Sequence, residues 1–232
     1  MRTTRLVTIL LLNAIGFALF LSWYLPPNHG FWASINKVIF FSFNNQIVHH
    51  PGFALLVAVT NCRVFDLISL FAMGIIYFFY WNRETLLGRQ RILAIGIIML
   101  LSALIINQLS HLLPVQHKSP TLFFKNAHRV SLLTGITTKD ASSNSFPGDH
   151  GMMLMIFSCF MWRYFGFHTL FISASISVIF SLPRIMSGAH WFTDIAVGSL
   201  SVLLIGMSWI LLTPLSDVLI NTLCHKLLYK YK

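Results

Sequence analysis

The sequence predicts an all-α integral membrane protein with six transmembrane helices, additional interfacial helices and both termini in the cytoplasm. Two features of the chain indicate this class. The composition is 56% hydrophobic and 14% aromatic with a mean hydropathy of +0.74, whereas only 9% of the residues are charged, as is typical of membrane proteins. The apolar residues also form several long stretches, which leave no room for a separate soluble domain. Residues 1–232 are therefore expected to form a single membrane domain.

Six stretches are read as membrane spans. The first follows Arg2 and Arg5 and resembles the start of a signal peptide. Pro26 and Pro27 stand where a small-residue cleavage site would be, so an uncleaved span is expected. Several other stretches are short for a hydrocarbon core of about 30 Å and must use aromatic or polar residues at their ends. The predicted spans are Leu6–Leu25, Leu67–Trp81, Ile92–Leu112, Met152–Trp162 with both flanks, Phe167–Leu182 and Phe192–Leu212.

The segment between the first two spans, residues 28–65, is moderately apolar and is broken by glycine, asparagine and histidine residues. Apolar side chains recur at helical spacing in its first half, at Ile35, Val38, Ile39 and Phe43. This pattern predicts short helices that lie in the membrane interface. A re-entrant pair of helices is the alternative.

The positions of lysine and arginine predict the orientation of the chain. When six spans are drawn, nine of the sixteen basic residues fall on one side, on short connections and tails. These are Arg2, Arg5, Arg83, Arg89, Arg91, Arg163, Lys226, Lys230 and Lys232. Both termini are therefore assigned to the cytoplasm. The same parity brings the 113–149 loop and the 183–191 loop together on the outer face, where two distant motifs can form one site.

The formal net charge of +10 bears on the possible partners. The basic residues are scattered at the ends of apolar runs without a clustered stripe, which argues against nucleic acid. Anionic lipid head groups or phosphorylated lipids fit the charge better. The three cysteines show no CxxC spacing, so neither a disulfide framework nor a thiolate metal site is supported.

Two polar motifs in this charge-poor chain indicate a functional site, because polar groups at the end of a membrane helix are costly to keep. One motif ends at His150, and the other contains Arg184, His190 and Asp194. The four-residue spacing of His190 and Asp194 would place both on one helix face, where the carboxylate can fix the imidazole tautomer. A histidine–aspartate pair alone is more often structural. The nearby arginine, second histidine and turn at Gly188 favour a phosphoryl-transfer site with a histidine nucleophile.

Each residue of the motifs has an expected role. His190 would attack phosphorus and become a phosphohistidine, while His150 would protonate the leaving oxygen and later deprotonate the acceptor. Gly148 stands at the start of the fourth span, where backbone N–H groups of the helix N-terminus favour phosphate. Asp149 has two interpretations: it caps the fourth span, or it tunes His150 or contacts an acceptor group.

A further cation is expected from the 113–130 loop. Lys118 is the first candidate for phosphate binding, with Lys125 and Arg129 as alternatives that could equally be interfacial anchors. His111, His117 and His128 could suggest zinc together with His150 and His190, but their spacing fits no metal-ligand pattern. No metal and no cofactor are therefore expected.

The two motifs resemble those of the type 2 phosphatidic acid phosphatase superfamily of membrane lipid phosphatases. Its Ser-Arg-x5-His-x3-Asp motif matches Arg184, His190 and Asp194, with Pro183 where serine is usual. Its Pro-Ser-Gly-His motif corresponds to residues 147–150, where the serine and the glycine are both replaced. The resemblance implies a six-span fold and the roles described above for the matched residues.

A third superfamily motif, Lys-x6-Arg-Pro, has only a degenerate counterpart at Lys118, with His111 where the lysine is expected. Longer segments resemble one branch of the superfamily that belongs to Gram-negative inner membranes, and this resemblance runs nearly from end to end. The segments are Phe20–Tyr24, Ser145–Met153, Met161–Phe165, Gly188–Asp194 and Leu211–Asp217. The branch resemblance implies an active site on the periplasmic face.

The same resemblance implies transfer of the distal phosphate of undecaprenyl pyrophosphate to the 1-phosphate of lipid A, with undecaprenyl phosphate as the second product. Both substrates would be membrane lipids, and no protein partner is expected. The alternative is a phosphatase that uses the same residues to release inorganic phosphate from undecaprenyl pyrophosphate or another lipid phosphate. A scaffold or transporter fits less well, because the polar set is intact and the two halves lack matching interrupted segments.

Overall fold

The structure of the protein is a computed structural model that describes residues 3–229, with side chains described as far as residue 226. Within this range most residues are helical, no strand is present, and residues 111–148 form a largely irregular loop with two short helices. Arg2, Lys230 and Lys232, which contribute to the predicted orientation, lie outside the described residues. The helices are α1 Thr3–Tyr24, α2 Phe31–His49, α3 Pro51–Thr60, α4 Arg63–Asn82, α5 Leu86–Ser110, α6 Pro120–Phe123, α7 Val130–Thr134, α8 Asp149–Phe165, α9 Phe167–Met186, α10 Leu200–Leu212 and α11 Leu215–Tyr229. A 3-10 turn, Pro27–His29, follows α1, and a π-helical turn, Asp194–Ser199, leads into α10.

Five helical segments are long and apolar enough to cross a membrane: α1, α4, α5, α9 and the continuous segment Asp194–Leu212. Each corresponds to a predicted span, as expected of a multi-pass all-α membrane protein. The remaining predicted span corresponds to α8, which has 17 residues. Several helices extend beyond the apolar runs that predicted them. For example, α5 begins at Leu86 rather than Ile92, because the polar residues before the apolar run also join its hydrogen-bonded turns.

The centre of the bundle is α8, which packs along α9 and also against α5 and α10. Its buried residues Met152, Ile156 and Phe160 are spaced four apart and form the core with residues such as Ile98 of α5 and Met207 of α10. This spacing places one apolar stripe of α8 inside the bundle. The N-terminal end of α8 is therefore positioned by its neighbours, which is what a residue with a precise chemical task requires.

The contact between α1 and α10 uses small and polar residues. Gly16 allows the helices to approach, since a Cβ atom there would lie 2.9 Å from Cγ1 of Ile205. Asn13 donates a 2.8 Å hydrogen bond from Nδ2 to Oγ of Ser208. Small residues and interhelical hydrogen bonds are the usual means of helix association within a bilayer.

The segment between α1 and α4 is helical, as its sequence predicts, but one of its helices is not short. It contains α2, which is 19 residues long, and α3, which begins at Pro51. The buried face of α2 includes Asn36, Phe40 and Asn44, while Val38 of the predicted apolar stripe is 70% exposed. The buried face is therefore mixed, because Phe40 and Ile47 are buried beside the two asparagines, while Ile35, Ile39 and Phe43 of the predicted stripe are half-buried.

The end of α9 also differs from the prediction. The helix continues through Pro183 to Met186, so Arg184 lies in its last turn and not in a 183–191 loop. Proline removes one backbone donor, but the last turn still closes, because the backbone N of Ser187 donates to the carbonyl O of Pro183 over 3.0 Å. Arg184 is thereby attached to a rigid helix rather than to a loop.

Trp23, near the end of α1, connects this helix to the segment that precedes α8. The side chain is fully buried, and its ring stacks between Phe146, at a centroid distance of 4.3 Å, and His29, at 4.1 Å. Because Phe146 begins the turn that leads to His150, the stack fixes the entry to α8.

We expect Trp23→Ala to lower the free energy of unfolding by about 3–5 kcal/mol, since it removes a fully buried aromatic side chain. The measurement is the thermal-unfolding midpoint of the purified protein in detergent. Trp162→Ala is the control, because the Trp162 side chain is 53% exposed. Equal losses in the two variants would contradict the structural importance of the stack.

Candidate active site

Residues of both predicted motifs line one cavity of about 230 Å³ where α8 begins and α9 ends. His150, Arg184 and His190 were expected together from the sequence, and Asp149 joins them. Lys139 completes the ionisable side chains of the cavity. Histidine, arginine and lysine side chains around one small cavity suit a phosphate group, which needs positioned donors and positive charge.

The turn after α9 presents His190 to this cavity. The backbone N atoms of Ala189 and His190 both donate to the carbonyl O of Arg184, each over 3.1 Å. Nδ1 of His190 lies 2.8 Å from the carbonyl O of Ser145 and 3.4 Å from Oδ2 of Asp194. With two acceptors facing Nδ1, the ring proton is favoured at that atom. Nε2 then keeps a lone pair, which is the form that a nucleophile needs.

The contact between His190 and Asp194 forms across a turn, and not along one helix face as their spacing suggested. His190 precedes the helical residues, and Asp194 begins the π-helical turn. Asp194 closes the intervening turn itself, because its Oδ2 accepts a 2.8 Å hydrogen bond from the backbone N of Trp191. Single π-helical turns are often found at functional sites.

Asp194 is completely buried and serves two histidines. Its Oδ1 lies 3.3 Å from Nδ1 of His117, while its Oδ2 faces His190. His117 also stacks on Trp191 at a centroid distance of 5.3 Å. A buried carboxylate is tolerated only when its oxygens are bonded. His117 is therefore part of the support of the site.

Arg184 is buried and is held by side chains that lie just before and within the start of α4. Its Nη1 donates a 2.7 Å hydrogen bond to Oδ1 of Asn61, and its Nη2 donates to Oδ1 of Asp66. Oδ1 of Asp66 also lies 3.5 Å from Nε2 of His150, and Oδ2 lies 3.3 Å from Nζ of Lys139. The carboxylate of Asp66 thus contacts three of the groups that line the cavity.

The lysine that lines the cavity is Lys139 and not Lys118. The Lys118 side chain is exposed, and only its backbone takes part nearby, because its carbonyl O accepts a 2.7 Å hydrogen bond from Nε1 of Trp191. Lys139 is positioned through the next residue, Asp140. The buried Asp140 carboxylate forms a 2.7 Å ion pair with Arg129, which fixes the course of this loop.

The two alternative cations of the loop do not line the cavity either. Arg129 is paired with Asp140, which gives it a structural contact within the loop. Lys125 is exposed, as an interfacial anchor would be. The contribution of each lysine to phosphate binding stays a prediction.

The structure differs from the expected phosphate contact of Gly148 and from one of the two interpretations of Asp149. The backbone N of Gly148 donates to the carbonyl O of Asp194 over 2.9 Å, so it is used within the protein. A Cβ atom on Gly148 would lie 2.9 Å from Cγ1 of Ile195, which shows that this glycine permits close packing. Asp149 is the first residue of α8 and not its cap. Its Oδ2 lies 3.5 Å from Nε2 of His111, and its side chain is 48% exposed.

Four residues around the cavity were not assigned to the site by sequence analysis: Asn61, Asp66, His117 and Lys139. Two of them carried a signal. Asp66 is one of only six acidic residues in the chain and directly precedes the second predicted span, and Lys139 lies in the same predicted loop as Lys118. Asn61 and His117 belong to no motif, and their spacing carries no such signal.

Comparison with known proteins reveals one extensive similarity. The chain is 57% identical over 218 residues to lipid A 1-diphosphate synthase of Escherichia coli (strain K12), and the match covers 94% of this chain and 92% of that protein. No protein-family model matches the chain, and no solved structure matches it. The similarity to the synthase extends over nearly the full length of both proteins.

Gly188 provides a test of the turn that carries His190. Its φ is +74°, and a Cβ atom there would lie 2.7 Å from side-chain atoms of both Phe40 and Thr121. Gly135 has a similar φ of +70° but no atom within 4 Å of such a Cβ. Gly188→Ala and Gly135→Ala share the backbone strain, whereas only the former adds a collision.

We expect Gly188→Ala to be less stable than Gly135→Ala by about 1–3 kcal/mol, the usual cost of overpacking, and to lose activity as the turn shifts. The thermal-unfolding midpoints of the two purified variants measure this difference. Indistinguishable midpoints would show that the turn has room for a side chain and would contradict the expectation.

Proposed function

The chain belongs to the lipid A 1-diphosphate synthase family, and we propose that it transfers the distal phosphate of undecaprenyl pyrophosphate to the 1-phosphate of lipid A, which gives lipid A 1-diphosphate and undecaprenyl phosphate. The observation that carries this proposal is the convergence of His150, His190, Arg184 and Lys139 on one cavity in a chain so similar to that synthase. Phosphoryl transfer requires a positioned nucleophile, cations for the phosphoryl oxygens and a proton donor. These side chains supply all three.

In the first half-reaction, the lone pair of Nε2 of His190 attacks the distal phosphorus. The bond between this phosphorus and the bridging oxygen breaks, and its electron pair leaves with undecaprenyl phosphate. His150 donates a proton to the departing oxygen. Arg184 and Lys139 face the charge on the non-bridging oxygens. The enzyme is left with a phosphohistidine at His190.

The phosphohistidine keeps its proton on Nδ1, where the carbonyl O of Ser145 and the carboxylate of Asp194 stabilise the positive ring. In the second half-reaction, an oxygen of lipid A 1-phosphate attacks the phosphorus, the phosphorus–nitrogen bond breaks and its electron pair returns to Nε2 of His190. His150 takes back a proton from the acceptor. One phosphoanhydride bond is broken and one is formed, so the transfer is close to energy-neutral and needs no nucleotide.

We further propose six spans in one membrane domain, with α8 as the fourth of them, both termini in the cytoplasm and the cavity on the periplasmic face of the bacterial inner membrane. Basic residues in the described part of the chain support this orientation. Arg5, Arg83 and Arg163 lie at the ends of α1, α4 and α8 that are remote from the cavity, as the excess of cytoplasmic positive charge requires. Both lipid substrates would then present their head groups on the side where the cavity lies.

The decisive experiment follows a labelled distal phosphate of undecaprenyl pyrophosphate in mixed micelles, with lipid A present or absent. The wild-type protein is expected to move the label to lipid A, and to hold acid-labile label on the protein when lipid A is absent. His190→Ala should do neither, because the attacking atom is gone. His168→Ala is the matched control, since His168 is exposed at the other end of the bundle. Label that appears only as free phosphate, with or without lipid A, would favour a lipid pyrophosphatase.

A second experiment assigns the phosphate-binding lysine. We expect Lys139→Ala to lower kcat/KM for the transfer about tenfold or more, because a cation facing the phosphoryl oxygens is lost. Lys118→Ala should change kcat/KM by about twofold or less, as is usual for exposed side chains. A larger loss in Lys118→Ala than in Lys139→Ala would reverse this assignment.

A further inference from the structure

Asp66 lies among the groups that we assign to phosphate binding, although the proposed reaction uses no carboxylate at this point. It stands in the first turn of α4, and its side chain is 25% exposed. It is one of only six acidic residues in a chain with sixteen basic ones. A negative charge beside a phosphate site weakens phosphate binding, so the presence of Asp66 needs an explanation.

The contacts of Asp66 engage the atoms that a phosphate would need. Its Oδ1 accepts from Nη2 of Arg184 and lies 3.5 Å from Nε2 of His150, and its Oδ2 lies 3.3 Å from Nζ of Lys139. These are terminal polar atoms of side chains that also line the cavity. Nε2 of His150 can carry one proton and direct it to one acceptor at a time. A phosphate that engages this atom therefore competes with the Asp66 oxygen that lies 3.5 Å away.

We propose that Asp66 is an internal competitor for the phosphate site. It holds Arg184, Lys139 and His150 in place while the cavity is empty, and it releases His150 and Lys139 when the phosphate of a substrate binds. This inference rests on the proposed function, which identifies the cavity as a phosphate site. Arg184 can serve both anions, because a guanidinium has several N–H donors and its Nη1 stays anchored to Asn61.

Two effects of Asp66 act on bound phosphate in the same direction. When phosphate replaces the Asp66 carboxylate, the contacts of this carboxylate with His150 and Lys139 are lost. The displaced negative charge also stays close enough to repel the bound phosphate. A terminal phosphate carries two negative charges and is attracted to the cations more strongly than the Asp66 carboxylate is. A phosphodiester carries one negative charge, as the carboxylate does, and gains no such advantage. Asp66 thereby favours terminal phosphate groups. It also prevents tight ground-state binding, which would slow the release of the products.

The test measures inhibition of the transfer by inorganic phosphate in the wild type, Asp66→Asn and Asp217→Asn. Asparagine keeps the shape of the side chain and an acceptor for Arg184 but removes the charge. Asp217 is the matched control, because it pairs with Arg163 at the end of α8 that is remote from the cavity. We expect the inhibition constant for phosphate to fall about tenfold in Asp66→Asn, as removal of a nearby like charge predicts. In Asp66→Asn, KM for the lipid donor should fall together with the inhibition constant. Both values should stay unchanged in Asp217→Asn.

An unchanged or higher inhibition constant in Asp66→Asn would overturn the proposal and make Asp66 a permanent support of Arg184. If Asp66→Asn does not fold, Asp66→Ser takes its place, and failure of both variants to fold would also identify a permanent support. Phosphate should in addition raise the thermal-unfolding midpoint of the wild-type protein. If phosphate neither inhibits nor stabilises the wild type, the phosphate site of the proposed function itself fails, which is distinguishable from a failure of the role of Asp66.

Discussion

The buried carboxylate of Asp194 is the interaction on which the rest of the site depends. One carboxylate oxygen faces His117, and the other faces His190 and accepts a hydrogen bond from the backbone N of Trp191. The backbone carbonyl O of Asp194 accepts a hydrogen bond from the backbone N of Gly148. One residue therefore joins the loop between α5 and α8, the turn after α9 and the start of α8. Because a buried carboxylate costs several kcal/mol unless its oxygens are bonded, the three segments are held in the arrangement that satisfies Asp194.

The two histidines of the cavity have different carboxylate partners. Asp194 is buried and fixes the tautomer of His190, whereas Asp66 is partly exposed and divides its contacts between His150 and two cations. Burial explains the difference, since a buried ion pair cannot change partners without leaving a charge unpaired. A partly hydrated pair can exchange at little cost. The proposed nucleophile His190 is thus held rigidly, while the proposed proton donor His150 and the cations proposed to bind phosphate can adjust to each substrate.

Sequence patterns predicted most of the helices and brought the central residues of the two motifs together. Hydrophobic runs located α1, α4, α5, α9 and the last span, and His150, Arg184 and His190 line one cavity. The structure differs from the predictions at the end of the span Phe167–Leu182 and in the buried face of α2. Pro183 removes one hydrogen bond without ending α9. The buried face of α2 contains Asn36 and Asn44 beside Phe40 and Ile47, so its polar members were not visible in the apolar spacing.

The sequence by itself determined the all-α membrane class, the positions of the long helices and the residues of the two motifs. These properties depend on hydrophobic length and on spacings between residues that are close in the chain. Only the tertiary structure decided that Asp66, His117 and Lys139 stand beside those motifs and that Lys118 lies outside the cavity. These residues come from a helix start and from irregular loops. Their approach is set by the packing of α4 and α8 against α9 and by loop ion pairs, and electrostatic contacts between irregular segments leave no periodic pattern in a sequence.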